Sequence, residues 1–220
     1  MSGTLPIYGG FSGLTINSNF SVIRNTSVSG IVTTTRLPGH FWSFTVNYPN
    51  VSRTEFQNIM GFLNSQEGFD TFSFEPTRYK DADGAATARK SALAGTINTD
   101  LNINATKAIG TSSGITFSSA FTLANGYYDP LQHGNFFNKG DFIKFTGHNK
   151  VYQITNDVQL ASDGSGSIDI TPRLQAEITA SDDIVYTDVS WTVITTDDIV
   201  TGDSGLGDTH SISIELREKP

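Results

Sequence analysis

The stretch Trp42-Ser43-Phe44-Thr45-Val46-Asn47-Tyr48 constrains this chain more than any other. Large apolar side chains take every second position and small polar ones fill the gaps, the period of a β-strand with one buried and one wet face. A helix would scatter the same residues around its circumference. Weaker alternations recur in Leu14 with Ile16, Phe20 with Val22, Val189 with Trp191 and Val193, and Ile212 with Ile214 and Leu216. Asn17-Ser18-Asn19 and Pro38-Gly39 are expected to be turns between strands. The last strands are expected to pair with the first block.

Only 16% of residues are charged, while Phe alone contributes 15. That balance suits turn-rich sheets better than long solvated helices. One segment departs from it: Ser52 and Glu55 have capping-box spacing, and Phe56, Ile59, Met60 and Leu63 follow at helical intervals. The spacing predicts one amphipathic helix over 53–65, ended by Gly68, before Phe72 and Phe74 alternate again up to Pro76.

From Lys80 to Asn98 Ala, Gly, Asp and Thr replace the aromatic residues, which predicts a boundary or exposed loop. Further strands are expected over 114–117, 141–145, 150–157, 167–171 and 184–186, with Asp163-Gly164-Ser165-Gly166 as a turn. The expected fold class is mostly β, all-β apart from the one helix. Its outer β-sandwich-like domain comprises residues 1–84 plus 189–220, and residues 85–188 form an inserted β module. Insertion is tolerated because the ends of a domain usually lie close together.

Without cysteine, neither disulfides nor thiolate metal sites are available. Lys and Arg total 14 against 22 Asp and Glu, a net charge of −8, and the basic residues are scattered, so tight nucleic-acid binding is not expected. Residues 1–10 have no basic or long apolar stretch, and no run of apolar residues is long enough to span a bilayer. The expectation is a soluble protein without signal peptide or membrane contact.

His40, His133, His148 and His210 share no short metal-ligand spacing. His40 and His210 are expected half-exposed at strand edges, and His133 and His148 in Gly-flanked loops. Asp157, Asp163 and Asp169 surround Asp-Gly-Ser-Gly but lack the ligand alternation and closing Glu of a calcium loop, so a solvated hairpin is expected. Asp197, Asp198, Asp203 and Asp208 alternate with Gly202, Gly205 and Gly207 as an acidic linker. Gly9-Gly10-Phe11-Ser12-Gly13 precedes a strand, whereas phosphate binding needs a helix N-terminus. No phosphate loop or dinucleotide fingerprint occurs. No catalytic, cofactor-binding or metal residue is assigned, and the chain is expected not to be an enzyme.

Two stretches carry a resemblance. The aromatic strand Phe41-Trp42-Ser43-Phe44, the capped segment Ser52-Arg53-Thr54-Glu55-Phe56 and Phe74-Glu75-Pro76 resemble the start of phage tail-tip proteins. Gly140-Asp141-Phe142-Ile143-Lys144-Phe145, Lys150-Val151-Tyr152-Gln153-Ile154-Thr155 and Ile168-Asp169-Ile170-Thr171-Pro172 look like a module that recurs in phage tail proteins. Together they are similar to distal tail proteins of long-tailed bacteriophages, in which the inserted module is commonly a small OB-like barrel.

That resemblance implies a virion structural protein assembled in the host cytoplasm. It would form a ring, hexameric in most such tails, at the tail tip or baseplate, between tail tube protein and hub or tip proteins. DNA would pass through its lumen unbound. Segments 14–22 and 212–216 are the expected edge strands for ring contacts. The alternative is a carbohydrate-binding β module for host-surface adhesion, and a hydrolase is disfavoured by the sparse charge.

Overall fold

The computed structural model describes residues 3–7, 13–68, 70–196, 202–204 and 209–219, without the side chains of 38 and 202–204. Its strands are β1 (Gly13–Thr26), β2 (Val32–Ser52), β3 (Phe72–Phe74), β4 (Asn102–Ile103), β5 (Ile115–Ser118), β6 (Phe142–Phe145), β7 (Val151–Ile154), β8 (Ser165–Ile168), β9 (Ile170–Thr171), β10 (Ile184–Val185), β11 (Trp191–Thr195), β12 (Gly202–Ser204) and β13 (Thr209–Glu218). Its helices are α1 (Arg53–Ser65), α2 (Ala85–Leu93) and α3 (Pro130–His133). The protein is mostly β. Its sheets run in the orders β1-β2-β13-β11-β3 with β12 beside β13, β10-β6-β7-β9, and β4-β5-β8. None of these strand orders closes on itself as a barrel among the described residues.

Two compact units form, Met1–Phe74 with Thr192–Pro220, and Glu75–Trp191. The breaks fall after Phe74 and Trp191, whereas the sequence suggests breaks after residues 84 and 188. The displacement has a physical cause. Within the second unit Ala82 N–H donates to the Tyr186 carbonyl at 2.9 Å and Val189 N–H to the Lys80 carbonyl at 2.7 Å. These bonds tie the unit's two chain ends together, so residues 75–84 belong to it.

The first unit is organised by β2. From His40 to Tyr48 its even positions are buried and its odd positions half-buried, as the alternation predicts. β2 pairs β13 antiparallel, with Tyr48 opposite Ile212 and Phe44 opposite Leu216. α1 starts at a complete capping box, in which Ser52 Oγ accepts from Glu55 N–H and the Glu55 carboxylate accepts from Ser52 N–H at 2.9 Å. Ile59 and Leu63 are its buried residues, while Phe56 and Met60 are half-buried. Full burial of two such side chains contributes about 1.5–3 kcal/mol each. The helix ends on Gln66, with Glu67 and Gly68 both at positive φ.

Two expected turns lie inside strands. Asn17, Ser18 and Asn19 pair in register with Ser43, Trp42 and Phe41. Two of their side chains find partners across the ladder, Ser18 Oγ at 2.8 Å from His40 Nε2 and Asn19 Nδ2 donating to Ser43 Oγ at 2.9 Å. Pro38-Gly39 sits at an irregularity in β2, where the register shifts between Phe20 and Val22 and Gly39 takes φ +122. The chain reverses instead at Ser27–Gly30, where Gly30 N–H donates to the Ser27 carbonyl and Gly30 takes φ +80.

The second unit has one continuous core around Phe117, Phe121, Phe136, Phe137, Tyr152 and Tyr186. Its strands follow the expected segments, except that 167–171 divides between β8 and β9, β8 already begins at Ser165 inside the expected turn, and β4 falls in no expected segment. The expected loop 80–98 contains α2. Ala85, Ala86 and Ala88 favour helix, yet no side chain caps it. Its first N–H groups are satisfied by tertiary contacts, Ala85 to the Asn135 carbonyl and Ala86 to the Phe136 carbonyl, both at 2.9 Å. Gly84 admits that approach, since a Cβ there would stand 2.3 Å from the Phe136 carbonyl oxygen. α3 is a further short helix, capped by Asp129 with Pro130 in its first turn.

Candidate assembly surface

β1 and β2 continue as a two-stranded ribbon beyond the sheet that anchors them. β13 covers β2 from Ser43 to Ser52, whereas β1 accompanies it out to Thr26 opposite Val32. From Val22 to Leu37 every described side chain is exposed. Residues 20–37 carry seven of the eleven exposed large hydrophobic side chains among the described residues: Phe20, Val22, Ile23, Val28, Ile31, Val32 and Leu37. Val28 and Ile31 project from the tip, and the others line both faces. A two-stranded ribbon with no core on either face is marginal in water, and contiguous exposed apolar surface marks an interaction site.

The base of this arm is held firmly. His40 is buried rather than half-exposed, because it lies on the inward face of β2 between Phe20 and Trp42, with ring centroids 4.7 and 4.8 Å away. Its Nε2 lies 2.8 Å from Ser18 Oγ. Arg36 covers the Phe20 ring at 4.7 Å. Trp42 N–H donates to the buried Glu218 carboxylate at 3.1 Å.

Of the two expected edge strands, 14–22 lies at an edge and 212–216 does not. Among the described residues β1 has a neighbour only on its β2 side. Segment 212–216 is not an edge, because β13 lies between β2 on one side and β11 and β12 on the other. At the opposite end of the sheet, β3 is covered by residues 3–5, with Leu5 N–H donating to the Ser73 carbonyl and Ser73 N–H to the Gly3 carbonyl, both at 2.9 Å.

Charge distinguishes the arm as well. The first acidic residue of the chain is Glu55, so residues 1–54 carry Arg24, Arg36 and Arg53 unopposed. With a net charge of −8 overall, the remaining residues carry −11, since −8 minus 3 is −11. The arm is cationic and apolar, and the rest of the chain is acidic.

The other singled-out side chains do not converge. Asp163 accepts from Ser165 N–H and Oγ and stabilises its own turn, whereas Asp157 accepts from Lys139 N–H and Asp169 from Gly114 N–H and Asn156 Nδ2, each joining separate segments. Among the described residues no group of three or more His, Cys, Asp or Glu is placed to hold a metal ion. His133 ends α3 rather than lying in a plain loop, accepting from Asp129 N–H at 2.9 Å. His148 sits half-buried after β6, and burial pushes its imidazole down from the usual range. His210 stacks on Phe56 at 4.5 Å. Asp197, Asp198, Asp208 and the loop at 9–12 lie outside the described residues, as does the Asp203 side chain. No helix among the described residues is long and apolar enough to cross a membrane.

Sequence reasoning missed the arm because Ile31-Val32-Thr33-Thr34-Thr35-Arg36-Leu37 carries no period-two alternation and the turn expected at Pro38-Gly39 ended the strand too early. The available signals were the acid-free first 54 residues and the turn Ser27–Gly30. No protein-family model matches the chain, and no curated protein matches it.

Proposed function

We propose that this is a non-enzymatic structural protein that assembles with copies of itself into a ring at the distal end of a long bacteriophage tail. The observation that carries this reading is the arm: residues 20–37 hold most of the exposed large apolar side chains among the described residues, on a ribbon attached to the sheet's open end. Such a ribbon gains most by lying on another chain. Its positive charge in an otherwise acidic protein favours the acidic surface of a second copy, in a heterologous contact that rotation can close.

On this reading the first unit builds the ring and the second, interrupting it between Phe74 and Thr192, decorates it. The finer description is a sandwich-like outer domain with an OB-like insertion, hexameric, held between tail tube and hub proteins in the virion. The surplus of acidic residues would then line a lumen that repels DNA. A stand-alone carbohydrate-binding module leaves the arm without a role.

Sizing by light scattering tests the proposal. The full chain is expected near six times 23.8 kDa, and a variant with residues 22–36 replaced by Asn-Gly is expected as a folded monomer. A full-length chain that stays monomeric at high concentration and joins no tail particle would sink the reading.

A further inference from the structure

The second unit has a surface cleft of about 390 Å³, lined chiefly by Arg78, Tyr79, Asp83, Asn138 and Lys139, with Asp141 and Phe142 beneath them. That volume falls within the roughly 300–1,000 Å³ typical of small-ligand sites. The cleft is built rather than incidental. Asp141 is buried, and its carboxylate accepts from Asp83 N–H at 2.9 Å and from Asn138 N–H at 2.8 Å, so one group ties both walls. Phe142 holds the Tyr79 ring edge-to-face at 6.1 Å, while Tyr79 remains 43% exposed.

The polar groups at the rim are unspent. Arg78, Asp83 and Lys139 are exposed, and none of their side chains takes part in an ion pair or side-chain hydrogen bond among the described residues. Arg78 and Lys139 offer donors, and Asp83 offers acceptors. A fixed aromatic face suits the C–H face of a sugar ring, and donors alternating with acceptors suit its hydroxyls. Arg78 and Lys139 share the lining with the carboxylates of Asp81, Asp83 and Asp141, so the lining favours neither a phosphate nor a polycation. We propose that this cleft binds a neutral saccharide unit, stacked on Tyr79 and hydrogen-bonded by Asp83 and Arg78. The site goes beyond ring formation and requires no second copy.

Saturation-transfer NMR on the full chain, with methyl glucoside, methyl galactoside, rhamnose, N-acetylglucosamine and their β-linked disaccharides, tests it. Transfer from at least one sugar is expected, with millimolar affinity. Tyr79→Ala and Asp83→Asn should each weaken that binding at least tenfold without moving the melting temperature, whereas Tyr79→Phe should stay within about threefold. Replacing residues 22–36 should leave it unchanged, which separates this test from that of assembly. Absence of transfer from every sugar overturns the proposal, as does binding that survives Tyr79→Ala and Asp83→Asn. A preference for short peptides over all the sugars overturns it too.

Discussion

The two halves of the β1–β2 hairpin belong to one antiparallel ladder and meet opposite fates. From His40 to Tyr48, β2 buries alternate side chains under α1 and against β13, and Phe44 meets Phe74 edge-to-face at 5.1 Å. From Val32 to Leu37 the same strand exposes every side chain. Alternation specifies which residues share a face, but a face becomes core only where a third element covers it. The base has that element and, among the described residues, the arm does not, so on the proposed reading the arm's apolar residues serve association rather than folding.

The largest effect should separate the halves directly. Phe44→Ala is expected to cost about 3–5 kcal/mol in urea unfolding, the range for a truncated buried Phe. Ile23→Ala, in the arm, is expected within about 0.5 kcal/mol of wild type. If both cost the same in the monomer, the arm is packed in solution and the contrast fails.

Charge gives a smaller, sharper test. Replacing Arg24 and Arg36 together by Glu should weaken self-association at least tenfold, about 1.4 kcal/mol, without loss of fold. The wild-type association should itself weaken as salt rises. Association that strengthens on the double replacement would show that the arm meets a cationic surface.

Where β2 hands over to α1, Ser52→Ala removes the cap and is expected to cost about 1 kcal/mol by thermal melting. A cost near zero would mean that packing of Ile59 and Leu63 alone holds the helix. That outcome would extend the rule that covering elements, not local signals, decide stability here.

The smallest effects concern pH, and the two units should respond with opposite sign. Ser52 holds the Glu55 carboxyl below its usual range, through its N–H first and its hydroxyl second. That increment of stability is present above the unfolded value of about 4.3 and lost as pH falls through the folded one. Burial raises the Asp141 carboxyl, and the N–H groups of Asp83 and Asn138 offset this only in part. Its increment is present below the unfolded value of about 3.9 and lost as pH rises through the folded one. Carboxyl titration by NMR, with Glu55→Gln and Asp141→Asn as references, should give these two directions; equal directions would contradict the burial assigned to Asp141.

Much of the fold was legible in local sequence because its causes are local. The capping box at Ser52 and Glu55 defined α1 to its limits, period-two runs located the buried half of β2, β11 and β13, and short β-rich segments located the strands of the second unit apart from β4. Asn17–Asn19 and Pro38-Gly39 misled, since turn-forming residues also occur in strands when a partner strand satisfies them or a register shift absorbs them. α2 was hidden for the converse reason: its cap comes from the Asn135 and Phe136 carbonyls, far along the chain.

What the sequence by itself determined is the β character, the single capping-box helix and the pairing of chain ends, since each follows from residue spacing or from an apolar face that needs covering. Tertiary structure alone decided that His40 is buried and that segment 212–216 is interior. It also decided that Val22–Leu37 stands uncovered and that Tyr79, Asp83 and Asn138 line one cleft. Each of those depends on which distant segment lies alongside, and spacing along one chain carries no information about the neighbour that removes, or fails to remove, a face from water.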